Sequence, residues 1–214
     1  MTAGCLNRAH GSDPAPALET WLSRQTNVHT WSAEVIQTRT LKSLLRPLTA
    51  TGRVWYAAPH QFRWELGDPP QTIAVRQSER MVVIYPRLKR AELFPLDTAS
   101  PGPWRDALAL LEAGFPRSRS ELESRFRLLD TIATQDLHIL CLQPRSASAR
   151  RLMPLIRVGF GPTDYQLRFT EIQFADGSSM RNDFRQIQVN PTLSDNLFEP
   201  RLEPDWEVVR PKSK

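Results

Sequence analysis

Short segments of alternating apolar and polar residues constrain this chain more than any other feature of its sequence. The segment Gln61–Leu66 (QFRWEL) places Phe62, Trp64 and Leu66 on one side and three polar residues on the other. Such alternation is typical of a β-strand with one buried face. Similar segments recur between turn residues, and the 18 prolines and 9 glycines argue against a helical bundle. The sequence therefore predicts an antiparallel meander of short strands.

The pattern predicts about eleven strands, a helix before them and a second helix in mid-chain. Apolar residues recur with helical spacing in Ala15–Gln25, and again in Pro101–Gly114, where Trp104, Leu108 and Leu111 share one stripe. A sheet of that size curls on itself, so we expect a mainly β protein in which the antiparallel sheet forms a barrel, with an N-terminal helix and a helical lid. The predicted strands are 28–38, 50–57, 61–66, 71–76, 80–85, 91–96, 125–133, 136–143, 155–161, 165–174 and 179–189.

The length of 214 residues fits one domain. We expect a disordered N-terminal tail over residues 1–14, a single folded domain over residues 15–209 and a C-terminal tail over residues 210–214. Residues 116–125 are expected to form a polar link with helical character, and residues 144–153 a basic loop.

Motifs that carry chemistry are not found in the sequence. The four histidines are not spaced with one another, with cysteines or with carboxylates as a metal site requires. Gly159 and Gly161 lack the third glycine of a dinucleotide fingerprint, and no phosphate-binding loop or nucleophile motif occurs. We therefore expect a binding protein rather than an enzyme, with no catalytic residue, no metal and no cofactor.

The net charge of +5 favours anionic partners, but the cations are spread along the chain. In the basic loop, Arg145, Arg150 and Arg151 either dock on an acidic partner or anionic headgroups, or form an ordinary solvated loop. Phe62 and Arg63 point to opposite faces of their predicted strand, so aromatic rings and cations do not share a surface. Nucleic acid is therefore not an expected partner.

A predicted internal cavity is the main functional expectation from the residues themselves. A barrel of this width is not filled by its own side chains and tends to hold a ligand. Aromatic residues fall on one face of successive strands, and six tryptophans occur in the chain. Strand parity and the lid stripe predict that the ligand contacts Trp31, Val35, Val54, Tyr56, Phe62, Trp64, Ile73, Val75, Val83, Trp104, Leu108 and Leu111.

The two cysteines have different surroundings in the sequence. Cys141 lies in the apolar strand LHILCL and is expected to be a buried small hydrophobe. Cys5 follows Ala3 and Gly4, which looks like the end of a bacterial lipoprotein signal, although the hydrophobic segment of such a signal does not precede it in this sequence. Lipidation of Cys5 and a chance match remain open alternatives.

Four pieces of the sequence, in order, resemble the LolA family of periplasmic carriers of outer-membrane lipoproteins. They are Gly52–Glu65 (GRVWYAAPHQFRWE), Tyr85-Pro86, Asp176-Gly177 and the ending Asn190–Pro200. The similarity extends over about residues 17–209. It implies an incomplete antiparallel barrel with a helical lid, in which Phe62 and Trp64 line the hydrophobic cavity and Trp31 takes the place of a family aromatic.

The resemblance also implies a function and its partners. A monomeric periplasmic carrier would bind the acyl chains of lipoproteins, receive them from an inner-membrane ABC-type release complex and pass them to an outer-membrane acceptor. Two alternatives are a LolB-like acceptor anchored to the outer membrane through a lipidated Cys5, and a carrier of another acylated lipid. Ala58 stands where the family often has an arginine that latches the lid, so we expect a lid that opens easily.

Overall fold

The structure is a computed structural model that describes residues 14–76, 80–95 and 113–210. In these ranges the helices are α1 (Pro14–Gln25), α2 (Arg119–Arg125) and α3 (Ala147–Leu152), with a 3-10 turn at Pro86–Leu88. The strands are β1 (Thr30–Thr40), β2 (Leu48–Ala57), β3 (Gln61–Leu66), β4 (Thr72–Arg76), β5 (Arg80–Tyr85), β6 (Arg90–Pro95), β7 (Phe126–Ala133), β8 (His138–Pro144), β9 (Leu155–Phe160), β10 (Leu167–Gln173), β11 (Ser179–Val189) and β12 (Glu207–Val209).

All twelve strands belong to one sheet, in the order β12-β6-β5-β4-β3-β2-β1-β11-β10-β9-β8-β7. Neighbouring strands are antiparallel except β12, which pairs in parallel with β6. The end strands β12 and β7 do not pair with each other, so the sheet does not close into a full barrel. The predicted half-open antiparallel barrel is confirmed.

Turn chemistry explains one of the hairpins that the sequence predicted. Gly177 has a φ of 86°, a conformation that glycine adopts without a steric penalty. The Asp176 carboxylate accepts hydrogen bonds from the backbone N–H of Ser178 at 2.9 Å and from its hydroxyl at 2.6 Å. These hydrogen bonds lower the pKa of Asp176. The Asp176-Gly177 turn therefore joins β10 and β11, between the predicted strands 165–174 and 179–189.

Two further elements differ from the prediction. Residues 144–153 are not a loop throughout, because α3 begins after Ser146, whose hydroxyl accepts a hydrogen bond from the backbone N–H of Ala149. The segment Glu207–Val209 adds a twelfth strand, which pairs in parallel with β6. The pairing begins with a hydrogen bond of 2.8 Å from the backbone N–H of Glu207 to the carbonyl oxygen of Lys89. The predicted lid stripe of Trp104, Leu108 and Leu111 lies outside the described residues.

Most buried apolar residues form one main cluster on a single face of the sheet, which we call the inner face. Helix α1 covers part of this face and contributes Leu18, Trp21 and Leu22. Trp21 stacks on Phe160 of β9 with ring centroids 4.9 Å apart and planes at 5°. The apolar stripe read from α1 in the sequence is therefore what attaches the helix to the sheet.

A smaller cluster lies on the outer face of the sheet, around Val82 and Ile84 of β5 and Ala91 of β6. Leu202 and Trp206 of the C-terminal segment pack against it. Elsewhere the outer face carries ion pairs between neighbouring positions of the strands, such as Arg157 with Glu171 at 2.7 Å and Arg63 with Glu65 at 2.6 Å. The two faces therefore differ in chemistry, and the inner face holds the larger apolar area.

Candidate ligand-binding face

Aromatic rings from β1, β2, β3 and β11 meet on the inner face. Trp31 lies edge-on to Phe184, with ring centroids 5.2 Å apart and planes at 87°. Trp64 also lies edge-on to Phe184, at a centroid distance of 6.2 Å. Phe62 and Tyr56 pair directly across β2 and β3. Antiparallel pairing thus places the aromatic residues of separate strands side by side in one patch.

Phe115 packs onto this patch from the segment that precedes α2. Its ring stacks on Tyr56 with centroids 4.5 Å apart and planes at 10°, and it meets Trp31 edge-on at 5.1 Å. The preceding Gly114 lies against Leu167, whose Cδ2 would be 3.1 Å from an added Cβ. Phe115 follows the predicted helix 101–114 and was not among the predicted ligand contacts, although an aromatic residue between Gly114 and Pro116 was a visible signal.

Tyr56 is the titratable group within this aromatic patch. Burial raises the pKa of its phenol, and the nearby charges of Arg117, Glu121 and Arg76 modify that shift. Its hydroxyl lies 3.4 Å from the carbonyl oxygen of Pro59, a long hydrogen bond. The phenol is therefore neutral near pH 7 and contributes its ring to the patch.

Most predicted cavity residues that the structure describes lie in the main cluster. Trp64 is half-buried and borders it. Ala58, where the expected latch residue is missing, also borders it, and its backbone N–H bonds to the His29 carbonyl at 2.8 Å. The predicted residues within the cluster are Trp31, Val35, Val54, Tyr56, Phe62 and Val83.

The prediction that Ile73 and Val75 face the same cavity is wrong. Trp64 of β3 pairs with Ala74 of β4, which puts Ala74 on the inner face and its two neighbours on the outer face. Ile73 packs against the outer cluster, and Val75 pairs with Val82 of that cluster. Apolar residues occupy both faces of β4 because the C-terminal segment covers the outer face. The residue pattern of TIAVR therefore did not show which residues lie on the inner face.

A cavity of about 330 Å³ opens beside the aromatic patch, at the end of the sheet where β1 begins. Trp31 is the predicted cavity residue that contributes to its wall. The walls combine apolar and polar groups and comprise Arg24, Gln25, Asn27, Val28, Trp31, Phe115, Asp164, Tyr165, Gln166, Leu167, Val189 and Asn190.

Gln25 is a residue of this wall with an unpaired polar atom in its side chain. It is 7% exposed, and its Oε1 atom is buried without a hydrogen-bond partner. Buried polar atoms of this kind are uncommon, because each one loses its bonds to water. Beside it, the guanidinium of Arg24 lies 5.3 Å from the centre of the Tyr165 ring. The cavity wall thus combines polar groups with the apolar surfaces of Trp31 and Phe115.

The inner face becomes polar toward the far end of β1. Gln37 donates a hydrogen bond from Nε2 to the side-chain oxygen of Asn182 at 3.1 Å, and Asn182 donates to the Thr170 hydroxyl at 3.4 Å. All three side chains are buried. This polar row crosses β1, β11 and β10, and it separates the aromatic patch from the buried apolar residues Ile172 and Met180 farther along the same face.

Other sequence expectations can be placed on the structure. Cys141 is buried and free, as predicted, and Cys5 lies outside the described residues. No cluster of three or more His, Cys, Asp or Glu side chains suited to a metal ion occurs within residues 14–76, 80–95 and 113–210. The helices in these ranges are too short or too polar for any of them to cross a membrane.

A family model described as outer membrane lipoprotein carrier protein LolA matches residues 26–201. No curated protein matches the chain in sequence. Among solved structures, an uncharacterized conserved protein from Thermus thermophilus superposes with a TM-score of 0.53 at 12% identity, over 93% of this chain and 100% of that chain. At that identity the likeness concerns the fold alone.

Two further solved structures have lower TM-scores. A LolA superfamily protein from Nitrosomonas europaea has a TM-score of 0.45 at 9% identity, over 85% of this chain and 97% of that chain. The MucA/MucB complex of Pseudomonas aeruginosa gives 0.45 at 14% identity, over 89% of this chain and 62% of that chain.

Proposed function

Because this chain belongs to the LolA family, we propose that it binds the acyl chains of lipoproteins on the inner face of its sheet and carries them through the periplasm. The observation that supports this role is the aromatic patch beside the cavity, to whose wall Trp31 and Phe115 contribute. Aromatic and aliphatic walls with a few polar groups suit an amphiphile with one polar end.

The expected gain from burying an acyl chain is large enough for a carrier. Each buried methylene contributes about 0.8 kcal/mol, so a chain of about fifteen carbons contributes roughly 12 kcal/mol. A ligand of this kind does not cross water unshielded. The protein therefore acts by holding the chain away from water, and the proposal requires no catalytic residue.

The size of the cavity implies movement on binding. Its volume of about 330 Å³ lies at the lower end of the ~300–1,000 Å³ range of ligand sites. Trp31, Tyr56 and Phe62 are already buried in the ligand-free chain. A long acyl chain must therefore displace part of the aromatic patch. Phe115 is the aromatic residue that we expect to move, because it does not belong to a strand of the sheet.

For the partners we propose an inner-membrane ABC-type release complex as donor and an outer-membrane acceptor as recipient, as the family membership suggests. A second candidate is that the chain is itself an acceptor anchored through Cys5, which the small residues before that cysteine favour. Mass spectrometry of the protein from its own host separates the two, because the anchored form carries lipid on Cys5.

A displacement titration tests the proposal. A fluorescent fatty acid is bound to the protein and competed with a triacylated lipopeptide or with the same peptide without acyl chains. We expect the acylated peptide alone to displace the probe. Displacement by both peptides, or by neither, would contradict the proposed cargo.

A further inference from the structure

Exposed leucines are concentrated at the end of the sheet opposite the cavity. The connection between β1 and β2 carries Leu44 at 44% exposure, Leu45 at 105% and Leu48 at 53%. Single exposed leucines are ordinary, but three within five residues of one hairpin tip concentrate apolar surface at one place in water. We call residues 41–48 the leucine tip.

The charged residues of the segment that carries the leucine tip are all positive, and the Asp176 carboxylate of the turn between β10 and β11 interacts electrostatically with Lys42. Residues 39–53 contain Arg39, Lys42, Arg46 and Arg53 and no aspartate or glutamate. Lys42 and Arg46 lie within the tip itself and are exposed. Apolar side chains flanked by cations match the interface of an anionic membrane, where acyl chains lie directly beneath negative headgroups.

A second loop places the same combination at the same end of the sheet. Leu152, at the end of α3, is 59% exposed and follows Arg150 and Arg151. Its carbonyl accepts a hydrogen bond from the backbone N–H of Ala175 at 2.9 Å, which ties α3 to the turn between β10 and β11. That turn adjoins the leucine tip, because Thr40 pairs with Ser179.

We propose that the leucine tip, together with Leu152 and its neighbouring arginines, docks the protein on the surface of a membrane that contains anionic phospholipid. The leucines enter the interfacial region and the cations contact lipid phosphates. Strand β1 has 11 residues and separates this end from the cavity by about 35 Å. The docked protein therefore keeps the cavity opening away from the bilayer, where a protein donor or acceptor can reach it.

This docking role goes beyond the proposed function and does not depend on acyl binding. The test is flotation of the whole chain with vesicles of phosphatidylcholine alone, or with one third phosphatidylglycerol. We expect the chain to float with the anionic vesicles. The triple variant Leu44→Ser, Leu45→Ser, Leu48→Ser should bind them at least tenfold more weakly. The variant Lys42→Ser, Arg46→Ser should lose about fivefold per cation at low salt.

The matched control removes exposed aliphatic side chains elsewhere, through Leu129→Ser, Ile132→Ser and Val208→Ser. This control should float like the parent chain. Failure of the parent to bind anionic vesicles, or an equal loss in the control and the tip variant, would overturn the proposal. Fluorescent fatty acid binding should be unchanged in the tip variant, so a failure of docking and a failure of the carrier role are distinguished.

Discussion

The two halves of the inner face are built from the same sheet but are closed in different ways. Over β8 and β9, helix α1 seals the face, and Trp21, Leu140 and Phe160 are fully buried. Over β1 to β3, Phe115 stacks on the aromatic patch, a cavity opens beside it, and Trp64 remains half-buried. The first half serves as a permanent core, and the second is the half in which a ligand can replace protein contacts.

Replacing Trp21 should have the largest effect on stability. The Trp21→Ala change removes a fully buried ring stacked on Phe160, so we expect a loss of about 3–5 kcal/mol in the free energy of unfolding. Chemical denaturation measures it. The half-buried Trp55 on the outer face provides the control, since Trp55→Ala should lose much less. Equal losses would mean that α1 is not a structural cover.

Replacing Trp64 should act on binding instead. The Trp64→Glu change puts a charge on the inner face, and we expect acyl affinity to fall by roughly 2 kcal/mol or more while the fold persists. Trp55→Glu introduces the same charge on the opposite face one strand away, and should leave affinity unchanged. Titration with a fluorescent fatty acid compares the two variants. Unchanged affinity in Trp64→Glu would place the ligand elsewhere.

Removing the ring of Phe115 should favour the ligand. Stacked aromatic pairs contribute about 0.5–1.5 kcal/mol beyond area burial. The ligand no longer has to break this contact in Phe115→Ala, so we expect binding tighter by roughly threefold to tenfold. Stopped-flow dye binding measures entry as well as affinity. Weaker and slower binding would show that Phe115 is part of the ligand surface rather than a residue that the ligand displaces.

The smallest effect is expected at the cavity rim. The Gln25→Leu change removes the buried Oε1 that has no partner, so we expect the ligand-free protein to gain about 1 kcal/mol of stability. Thermal unfolding with and without an N-acyl amide checks this, and the amide should stabilise the parent more than the variant. A loss of stability in the ligand-free variant would indicate that Gln25 has a partner in solution.

Much of the sheet could be predicted because its strands are apolar on one face. Alternation in QFRWEL located β3 and assigned Phe62 to the inner face correctly. It failed in β4, where Ile73 and Val75 are apolar for a second reason, namely contact with the outer cluster around Val82. A period of two shows that two faces exist, but it does not show which one is covered by distant parts of the chain.

The contacts that make the candidate site were harder to predict than its strands. Phe115 meets Trp31 and Tyr56 across a long sequence separation, and no local pattern encodes that contact. The cavity wall likewise joins Gln25 of α1 to Tyr165 and Asn190. Helix α3 could have been predicted from local sequence. Ser146 is a helix-capping residue directly before it, but the many arginines of residues 144–153 led to the prediction of a basic loop.

Photo-crosslinking tests the central claim most directly, namely that acyl chains bind the half of the inner face formed by β1 to β3. A fatty acid with a photoreactive group near its methyl end is irradiated with the whole chain, and mass spectrometry locates the adducts. We predict adducts on peptides that contain Trp31, Phe62 or Trp64, competed away by the triacylated lipopeptide. Adducts confined to the outer cluster around Ile73 and Trp206, or to β8 and β9 under α1, would contradict the account.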